Sequence, residues 1–299
     1  MCQECGCSKP GPYQIDGRPT EPHTHSHTHA DGTVHTHAHP PTLRSGATRD
    51  DHHAHDHSHG HEHHHHDHDH GHSHAHPHQI LNLNTGILNA NDRAGEQNRG
   101  VFKALNLLVL NMVSSPGAGK TALLTKTLNE LKGRLRAGVI VGDLATDNDA
   151  ARLRTTGAPV VQIATGTLCH LEAGMVAEAM RQLDLRALDL LIIENVGNLV
   201  CPAAFDLGEA VRVVVHSVTE GEDKPLKYPP MFHSADVVVV TKTDMAAAAG
   251  FDRELALKNI RQASPRAKIF ELSARSGDGV AVWCDYLVAL KAGAAKSRG

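Results

Sequence analysis

The sequence has few aromatic residues, little net charge and no long apolar run. Only 3% of its 299 residues are Phe, Trp or Tyr, which argues against the aromatic stacking surfaces that bind single-stranded nucleic acid. A net charge of −4 argues against a broad electrostatic attraction to the phosphate backbone. No apolar run approaches the roughly 18–20 residues of a membrane span, and an apolar secretory segment is absent. We therefore expect a cytoplasmic protein with no membrane span and no nucleic-acid partner.

Cysteine is scarce and histidine is abundant. The six Cys are expected to be thiols or metal ligands rather than disulfides, because the chain shows no export signal. Of the 26 His, 23 lie between His23 and His78, and residues 1–79 contain almost no Leu, Ile, Val or Phe. Such a segment cannot offset a backbone ordering cost of about 1–2 kcal/mol per residue. We predict a disordered metal-binding region at 1–79 and a globular domain at 80–299.

The globular part alternates apolar, β-rich runs with helical patterns. Strands are predicted at 107–113, 139–142, 160–164, 188–194, 211–217, 237–241 and 268–272, and helices at 120–133, 171–183, 251–263 and 280–292. Near-continuous apolar strands between helices indicate an α/β fold with a mostly parallel sheet covered on both faces. An amphipathic segment at 80–105 precedes the first strand, and we expect it to pack against the sheet.

A phosphate-binding loop follows the first predicted strand. The letters SSPGAGKT at 114–121 meet the pattern G-x-x-x-x-G-K-[ST] except at the first position, where Ser114 replaces Gly. Gly117 and Gly119 let backbone N–H groups face a phosphate, and the following helix N-terminus favours negative charge. Lys120 is expected to reach the β- and γ-phosphates and the Thr121 hydroxyl to bind Mg²⁺.

A second loop is predicted to read the nucleotide base. The letters TKTD at 241–244 resemble the N-K-x-D guanine motif, with Thr241 in place of Asn. A carboxylate at Asp244 accepts two hydrogen bonds from guanine, whereas adenine offers no such pair of donors. The Lys242 stem can lie along the base. Ser273 and Ala274, after the last predicted strand, resemble the loop that supports the base.

Acidic residues end two further strands. Asp143 and Glu194 close predicted strands, and acids at the carboxyl ends of parallel strands face the ligand crevice. There they can hold Mg²⁺ or orient the attacking water, although Asp143 could also cap a helix. The Gly197 N–H could sense a γ-phosphate.

Three groups of soft ligands suggest metal binding. Cys2, Cys5 and Cys7 with the chain amine can wrap a square-planar Ni²⁺, and a tetrahedral metal also fits. Thiolate plus imidazole at Cys169, His170 and Cys201 suits Zn²⁺ or Ni²⁺, and a dimer could share the metal. The alternative is that these Cys are small buried hydrophobes. The His tract is expected to bind Ni²⁺, Zn²⁺, Cu²⁺ or Co²⁺ at several sites of modest affinity, or else to be a solvated tail.

Together these residues resemble the HypB family of hydrogenase nickel-incorporation GTPases, over nearly the whole chain. The resemblance rests on CxxCGC at 2–7, the His-rich insert, SPGAGKT at 115–121, GDLATDNDA at 142–150, CHL at 169–171, ENVGNLVCP at 194–202 and EGEDKPLKYP at 220–229.

The resemblance implies a dimerising P-loop GTPase that delivers Ni²⁺ to the large subunit of [NiFe]-hydrogenase. Turnover is expected to be slow, because no residue is an evident arginine finger. It implies a tight nickel site at Cys2, Cys5 and Cys7, and a Ni²⁺/Zn²⁺ site at Cys169, His170 and Cys201. The implied partners are a second copy of the chain, a HypA-type nickel chaperone and the hydrogenase large subunit. Lys120, Asp143 and Glu194 are the predicted catalytic residues. The predicted GTP/Mg²⁺ site comprises Gly117, Ala118, Gly119, Lys120, Thr121, Ala122, Asp143, Glu194, Gly197, Lys224, Thr241, Lys242, Asp244, Ser273 and Ala274.

Two other functions remain open. One is nickel storage and detoxification with the His tract as the main functional part. The other is an accessory GTPase for another metalloenzyme, such as urease or a cobalamin-linked enzyme. The CxxCGC start and the separated Cys169-His170 and Cys201 favour the hydrogenase assignment.

Overall fold

The fold was analysed in a computed structural model that describes residues 13–19, 23–28, 34–39, 77–144 and 146–296. The strands are β1 (Gln14–Ile15), β2 (Arg18–Pro19), β3 (His23–Thr28), β4 (Val34–His39), β5 (Leu108–Ser114), β6 (Ala137–Asp143), β7 (Val160–Ala164), β8 (Leu190–Glu194), β9 (Val211–Ser217), β10 (Val237–Thr241) and β11 (Lys268–Glu271). The helices are α1 (Pro77–Ala104), α2 (Lys120–Glu130), α3 (Asn148–Arg154), α4 (Ala173–Met180), α5 (Lys224–Lys227), α6 (Pro229–His233), α7 (Arg253–Ala263) and α8 (Val280–Lys296).

The main sheet has the order β11-β10-β9-β5-β8-β6-β7-β1-β2. The strands from β11 to β7 are parallel, and β1 and β2 extend the β7 edge in antiparallel fashion. The central strand β5 lies between β8 and β9. After β5 the chain builds β6, β7 and β8 on one side of it and then β9, β10 and β11 on the other side. A crevice forms at the carboxyl ends of the strands at such a switch point, and ligands of open α/β sheets bind there.

The predicted α/β fold is confirmed, and each predicted strand lies within two residues of an observed one. Strands β5, β8, β9 and β10 are buried along their whole length, as expected for a parallel sheet covered on both faces. Leu110 and Met112 face a core with α2 and α8, whereas Val109 packs with α4 and with Phe102 of α1. Short helices α3, α5 and α6 were not predicted, since four to seven residues carry little periodic signal.

Helix α1 docks through amide side chains. Asn98 donates to the carbonyl oxygens of Ala173 and Leu207 at 2.9 and 3.1 Å, and Asn91 accepts from the Ala173 N–H at 2.8 Å. The predicted packing of 80–105 is therefore polar in part, and it fixes the beginning of α4.

Residues 13–19 differ from the predicted disorder of 1–79. They form a hairpin whose strand β1 pairs with β7, and the Ile15 side chain is 2% exposed in the sheet's core. Backbone pairing to an open sheet edge orders a segment that is too poor in apolar residues to fold alone. The other described part, β3 with β4, is an antiparallel hairpin in a separate unit spanning 21–82. The remaining residues before 77 lie outside the described residues, and the boundary at 79 stays a prediction.

Among the described residues, no helix has both the length and the apolar character required to cross a membrane.

Candidate nucleotide and metal site

The phosphate loop lies between β5 and α2, as predicted. Gly119 has φ 96°, a left-handed conformation that residues with a Cβ rarely adopt. The Lys120 amino group donates to the Ser114 hydroxyl at 2.7 Å. Ser114, which departs from the glycine of the pattern, therefore holds Lys120 back over the loop.

Two ionisable side chains of this cleft, Lys120 and Glu194, are buried. Thr121 Oγ1 donates to Glu194 Oε1 at 2.8 Å, and Glu194 Oε2 is buried without a hydrogen-bond partner among the described residues. Burial raises the pKa of Glu194 to about 7, against the opposing charge of Lys120. Burial also lowers the pKa of Lys120, and the carboxylate of Glu194 opposes that shift. An unsatisfied carboxylate oxygen beside a hydroxyl is a donor set that suits a hard divalent cation.

These residues line a cavity of about 380 Å³ at the carboxyl edge of the sheet. Its lining residues include Gly117, Gly119, Lys120, Thr121, Ala122, Asp143, Glu194 and Gly197 of the predicted set, together with Asp149, Arg152 and Asn195. Asp143 accepts hydrogen bonds from the Leu144 and Thr146 backbone N–H groups and from the Thr146 hydroxyl, so it orders its own loop. A Cβ at Gly197 would lie 2.9 Å from Pro116 Cα, which explains the need for glycine where this segment meets the phosphate loop.

An adjoining cavity of about 210 Å³ corresponds to the predicted base pocket. It is lined by Gly119, Ala122, Thr241, Lys242, Asp244, Met245, Ser273, Ala274 and Arg275. Ser273 Oγ donates to Asp244 Oδ1 at 2.5 Å, which fixes the carboxylate that is predicted to read guanine. The Lys242 amino group donates to the Gly117 carbonyl at 2.8 Å, so its stem crosses from the base loop to the phosphate loop.

Thr241 replaces the usual Asn and still connects the two loops. Its hydroxyl donates to the Ala118 carbonyl at 2.8 Å, and the side chain is buried. Ala118 thus contributes through its backbone rather than by lining either cavity. Thr241 therefore makes one hydrogen bond to the phosphate loop at the position where the motif usually has an Asn side chain.

Lys224, like Ala118, is a predicted nucleotide-site residue that lines neither of these two cavities. It begins α5, and its amino group lies 5.5 Å from the centroid of the Tyr228 ring. The predicted role of Lys224 in binding the nucleotide stays a prediction.

The thiol and imidazole ligands come together as predicted. Cys169 Sγ lies 2.9 Å from Cys201 Sγ and 4.0 Å from His170 Nδ1. One ligand atom from each of the three residues lies within 4.8 Å of the others. Ligand atoms around a tetrahedral zinc with bonds of about 2.0–2.3 Å lie a little under 4 Å apart, so small shifts would suffice to close the set on an ion.

Two residues that sequence reasoning did not single out orient His170. The Phe205 ring stacks on the imidazole with centroids 3.9 Å apart. Glu172 Oε1 lies 3.6 Å from His170 Nε2, a buried ring nitrogen without a hydrogen-bond partner among the described residues. A carboxylate behind a ligating imidazole is a common second partner of metal-bound histidine. Glu172 lies two residues from His170, whereas nothing in the sequence connects Phe205 to it.

Of the other cysteines, the structure describes Cys284 alone. Cys2, Cys5 and Cys7 lie outside the described residues, so the predicted site there is untested. Cys284 is buried among core residues of α8, and burial raises the pKa of its thiol to about 11. Its sulfur therefore stays protonated and behaves as a small apolar group.

Comparisons with known proteins agree with this geometry. The family model described as CobW/HypB/UreG, nucleotide-binding domain, matches residues 108–271. The hydrogenase maturation factor HypB of Azotobacter vinelandii is 53% identical over 209 residues, covering 70% of this chain and 69% of that protein. HypB of Escherichia coli K12 is 50% identical over 209 residues, covering 70% and 72%.

Solved structures give the same result. The crystal structure of HypB from Helicobacter pylori in complex with nickel matches with a TM-score of 0.65 and 40% identity, covering 68% of this chain and 95% of that one. HypB from Archaeoglobus fulgidus matches with a TM-score of 0.64 and 38% identity, covering 68% and 98%. With the P-loop, the base pocket and the matched family model in agreement, the chain belongs to the HypB family of hydrogenase maturation factors.

Proposed function

We propose that this protein is a GTP-hydrolysing nickel metallochaperone that delivers Ni²⁺ for the maturation of [NiFe]-hydrogenase. The observation that carries the proposal is one short segment shared by two sites. Glu194 ends β8 in the phosphate cleft, and Cys201, farther along the same segment, lies against Cys169. A change of nucleotide that moves this segment therefore also changes the geometry of the thiol and imidazole ligands.

The cleft suits a guanine nucleotide. Asp244 is held by Ser273 and is exposed in the cleft. A bound base would cover it, and an acceptor buried without a donor costs about 1–3 kcal/mol, so adenine is disfavoured there. Lys120 supplies positive charge at the phosphates. Arg152 of α3 lines the same cleft and is placed to add a second cation. We expect slow intrinsic turnover.

Mg²⁺ fits beside Thr121 and Glu194. The orphaned Glu194 Oε2 and the Thr121 hydroxyl are oxygen ligands in the cleft. Bound there, the ion neutralises phosphate charge as it does in other P-loop proteins. A cation there would also favour the ionised form of Glu194, whose carboxylate otherwise retains a proton near neutral pH.

The cargo is nickel. Two thiolates and an imidazole bind borderline metals such as Ni²⁺ and Zn²⁺, and a relative 40% identical to this chain was crystallised with nickel. Three ligands from one chain leave coordination positions for a second copy or for the acceptor. We therefore propose a homodimer formed on GTP or metal binding, with a HypA-type chaperone and the hydrogenase large subunit as protein partners. Cys2, Cys5 and Cys7 complete the proposal as a second nickel site.

A storage role for the His tract is the second candidate, and the hairpin of β3 and β4 favours it. Its register places His23 opposite His39, His25 opposite His37, and His27 opposite His35. Directly opposed residues of an antiparallel pair lie about 4.5–5.5 Å apart at Cα. Histidines at opposed positions of a strand pair support the proposal of reversible binding of several ions.

Hydrogenase maturation in a strain lacking this protein separates the candidates. Cys201→Ser is expected to leave hydrogenase inactive at trace nickel and to be rescued by added nickel. Deletion of residues 23–78 is expected to lower the nickel content of the purified chain and to leave maturation intact. Full maturation with Cys201→Ser at trace nickel would contradict delivery through this cluster, and loss of urease activity alone would favour the alternative accessory role.

Phosphate release tests the enzyme assignment. We expect hydrolysis of GTP and not of ATP, with loss of activity when Lys120 is replaced. Equal rates with both nucleotides would show that Asp244 does not select the base.

A further inference from the structure

A row of buried polar side chains crosses the sheet beneath the metal ligands. Asn195 Nδ2 donates to Asn111 Oδ1 at 3.3 Å, and Asn111 Nδ2 donates to Glu209 Oε1 at 3.0 Å. Arg212 donates to the same Glu209 oxygen through Nε and Nη2 at 2.9 and 2.7 Å. The Asn111 side chain is fully buried in the middle of β5. Burial of an amide costs free energy unless the amide is hydrogen-bonded.

The two ends of this row hold the two sides of the metal cluster. At one end, Asn195 Oδ1 accepts the N–H of Leu171, the residue after His170, at 3.1 Å. At the other end, Arg212 donates to the carbonyl oxygens of Ala203 and Phe205 at 3.2 and 2.9 Å. Ala203 lies in the turn that carries Cys201, and Phe205 is the residue whose ring stacks on His170.

The row also touches the nucleotide cleft. Asn195 directly follows Glu194 and lines the same cavity as the phosphate loop. Its side chain is therefore the point at which a displacement of the segment after β8 reaches the backbone beside His170. Fully paired polar groups in a low-dielectric interior hold a defined geometry, so such a displacement is passed on rather than absorbed.

We propose that Asn195, Asn111, Glu209 and Arg212 form a positioning relay that couples the nucleotide state to metal affinity at Cys169, His170 and Cys201. Asn195 is the moving end, and Arg212 holds the Cys201 side in place. The inference rests on the proposed function and adds the residues through which the two sites communicate. None of Asn111, Glu209 and Arg212 contributes a ligand atom or lines the nucleotide cavities.

The test uses thermodynamic reciprocity. If the bound nucleotide changes the affinity for the metal, the bound metal must change the affinity for the nucleotide by the same factor. The affinities of the full chain for GDP and for a non-hydrolysable GTP analogue are measured with and without Ni²⁺. The same measurement on Cys169→Ser subtracts the contribution of the His tract. We expect nickel to change the ratio of the two affinities in wild type by a factor within the range of about 5–150 that is typical of allosteric coupling.

Asn111→Leu cuts the relay in the middle with little change of volume, and Arg212→Lys keeps the charge but loses the fork that holds the Cys201 turn. In each variant, the factor by which nickel changes the ratio of the two nucleotide affinities is expected to lie within about twofold of one. The double variant is expected to show no further loss. Thr127→Val is the matched control, since it removes a buried hydrogen bond to Trp283 between α2 and α8 and should leave the ratio unchanged.

The outcomes distinguish the two proposals. A wild-type protein without a nickel-dependent ratio would overturn the coupling in the proposed function and the relay with it. A wild-type ratio that persists in Asn111→Leu and Arg212→Lys would overturn the relay alone. Equal loss in Thr127→Val would show that the relay variants act through general stability. Retained nucleotide binding in the absence of metal shows that each variant is folded. If Asn111→Leu does not fold, Arg212→Lys alone provides the test.

Discussion

The nucleotide cleft and the metal cluster lie at the same edge of the sheet but are built in different ways. The phosphate-binding part of the cleft comes from one continuous stretch, 114–121, within which the Lys120 amino group donates to the Ser114 hydroxyl. The cluster brings together thiols 32 residues apart in the sequence, with a stacking ring and a polar row from other strands. The nucleotide site depends on a few residues that contact the nucleotide. The metal site also depends on residues that contact only the side chains that ligate the metal.

The largest effect is expected at the local site. Lys120→Ala removes the buried cation at the phosphates, and loss of a single stabilising donor of this kind costs on the order of 10²–10³-fold in rate. GTP hydrolysis should fall accordingly, while nickel affinity of the nucleotide-free chain stays the same. Lys132→Ala, an exposed lysine after α2, is the control. A fall in nickel affinity of the nucleotide-free Lys120 variant would break the contrast.

The base pocket should respond in an equally local way. Asp244→Asn replaces an acceptor with a donor at the guanine edge, and hydrogen bonds to charged groups contribute about 1.5–3 kcal/mol. GTP affinity should fall by on the order of 10²-fold, whereas xanthosine triphosphate, which presents an oxygen at that position, should gain. Nucleotide competition by fluorescence measures both, and an unchanged preference for GTP over xanthosine triphosphate would place base recognition elsewhere.

The metal cluster should be sensitive to a residue that binds nothing itself. Phe205→Leu removes the ring stacked on His170, and loss of a group that orients a ligand costs about 10–100-fold in metal affinity. We expect weaker nickel binding with unaltered GDP affinity. Phe251→Leu is a suitable control, because its partly buried ring lies in another part of the core. Equal nickel affinity in the wild type and Phe205→Leu would mean that the imidazole needs no such support.

An effect on stability, rather than on ligand binding, distinguishes the two carboxylates at the ends of β8. Glu194 has a pKa raised by burial to about 7, so between about pH 4.5 and 7 the folded chain keeps a proton that the unfolded chain releases. The stability of the nucleotide-free protein should therefore decline as pH rises through this window, and Glu194→Gln should remove the decline. Urea unfolding across pH measures it.

Asp189, at the other end of the strand, is the matched control. The Arg136 guanidinium lowers its pKa to about 2. Its contribution is present above about pH 4 and is lost as pH falls toward 2. Asp189→Asn should therefore lower stability by a constant amount above about pH 4 and change the pH dependence only in the acid limb. A Glu194→Gln profile parallel to that of wild type between pH 5 and 7 would contradict the assignment.

The same contrast explains what the sequence could predict. Strand β5 and the loop at 114–121 were predictable, because an apolar run followed by a glycine-rich turn and a helix is a local pattern. The pairing of Thr241 with Ala118, the ring of Phe205 behind His170 and the row from Asn195 to Arg212 were not predictable. Each joins residues from separate strands or loops, and a single sequence carries no signal for such contacts. The hairpin at 13–19 was missed for a related reason, since its order comes from the exposed edge of β7.

The most direct test of the account is a nickel titration of the full chain in its nucleotide-free, GDP-bound and GTP-analogue-bound states, with the Cys169→Ala protein as the baseline. The difference between the two proteins isolates the cluster from the His tract. We predict that nickel affinity at the cluster changes with the bound nucleotide, because both sites share the segment from Glu194 to Cys201. Identical affinities in all three states would contradict nucleotide-controlled nickel release.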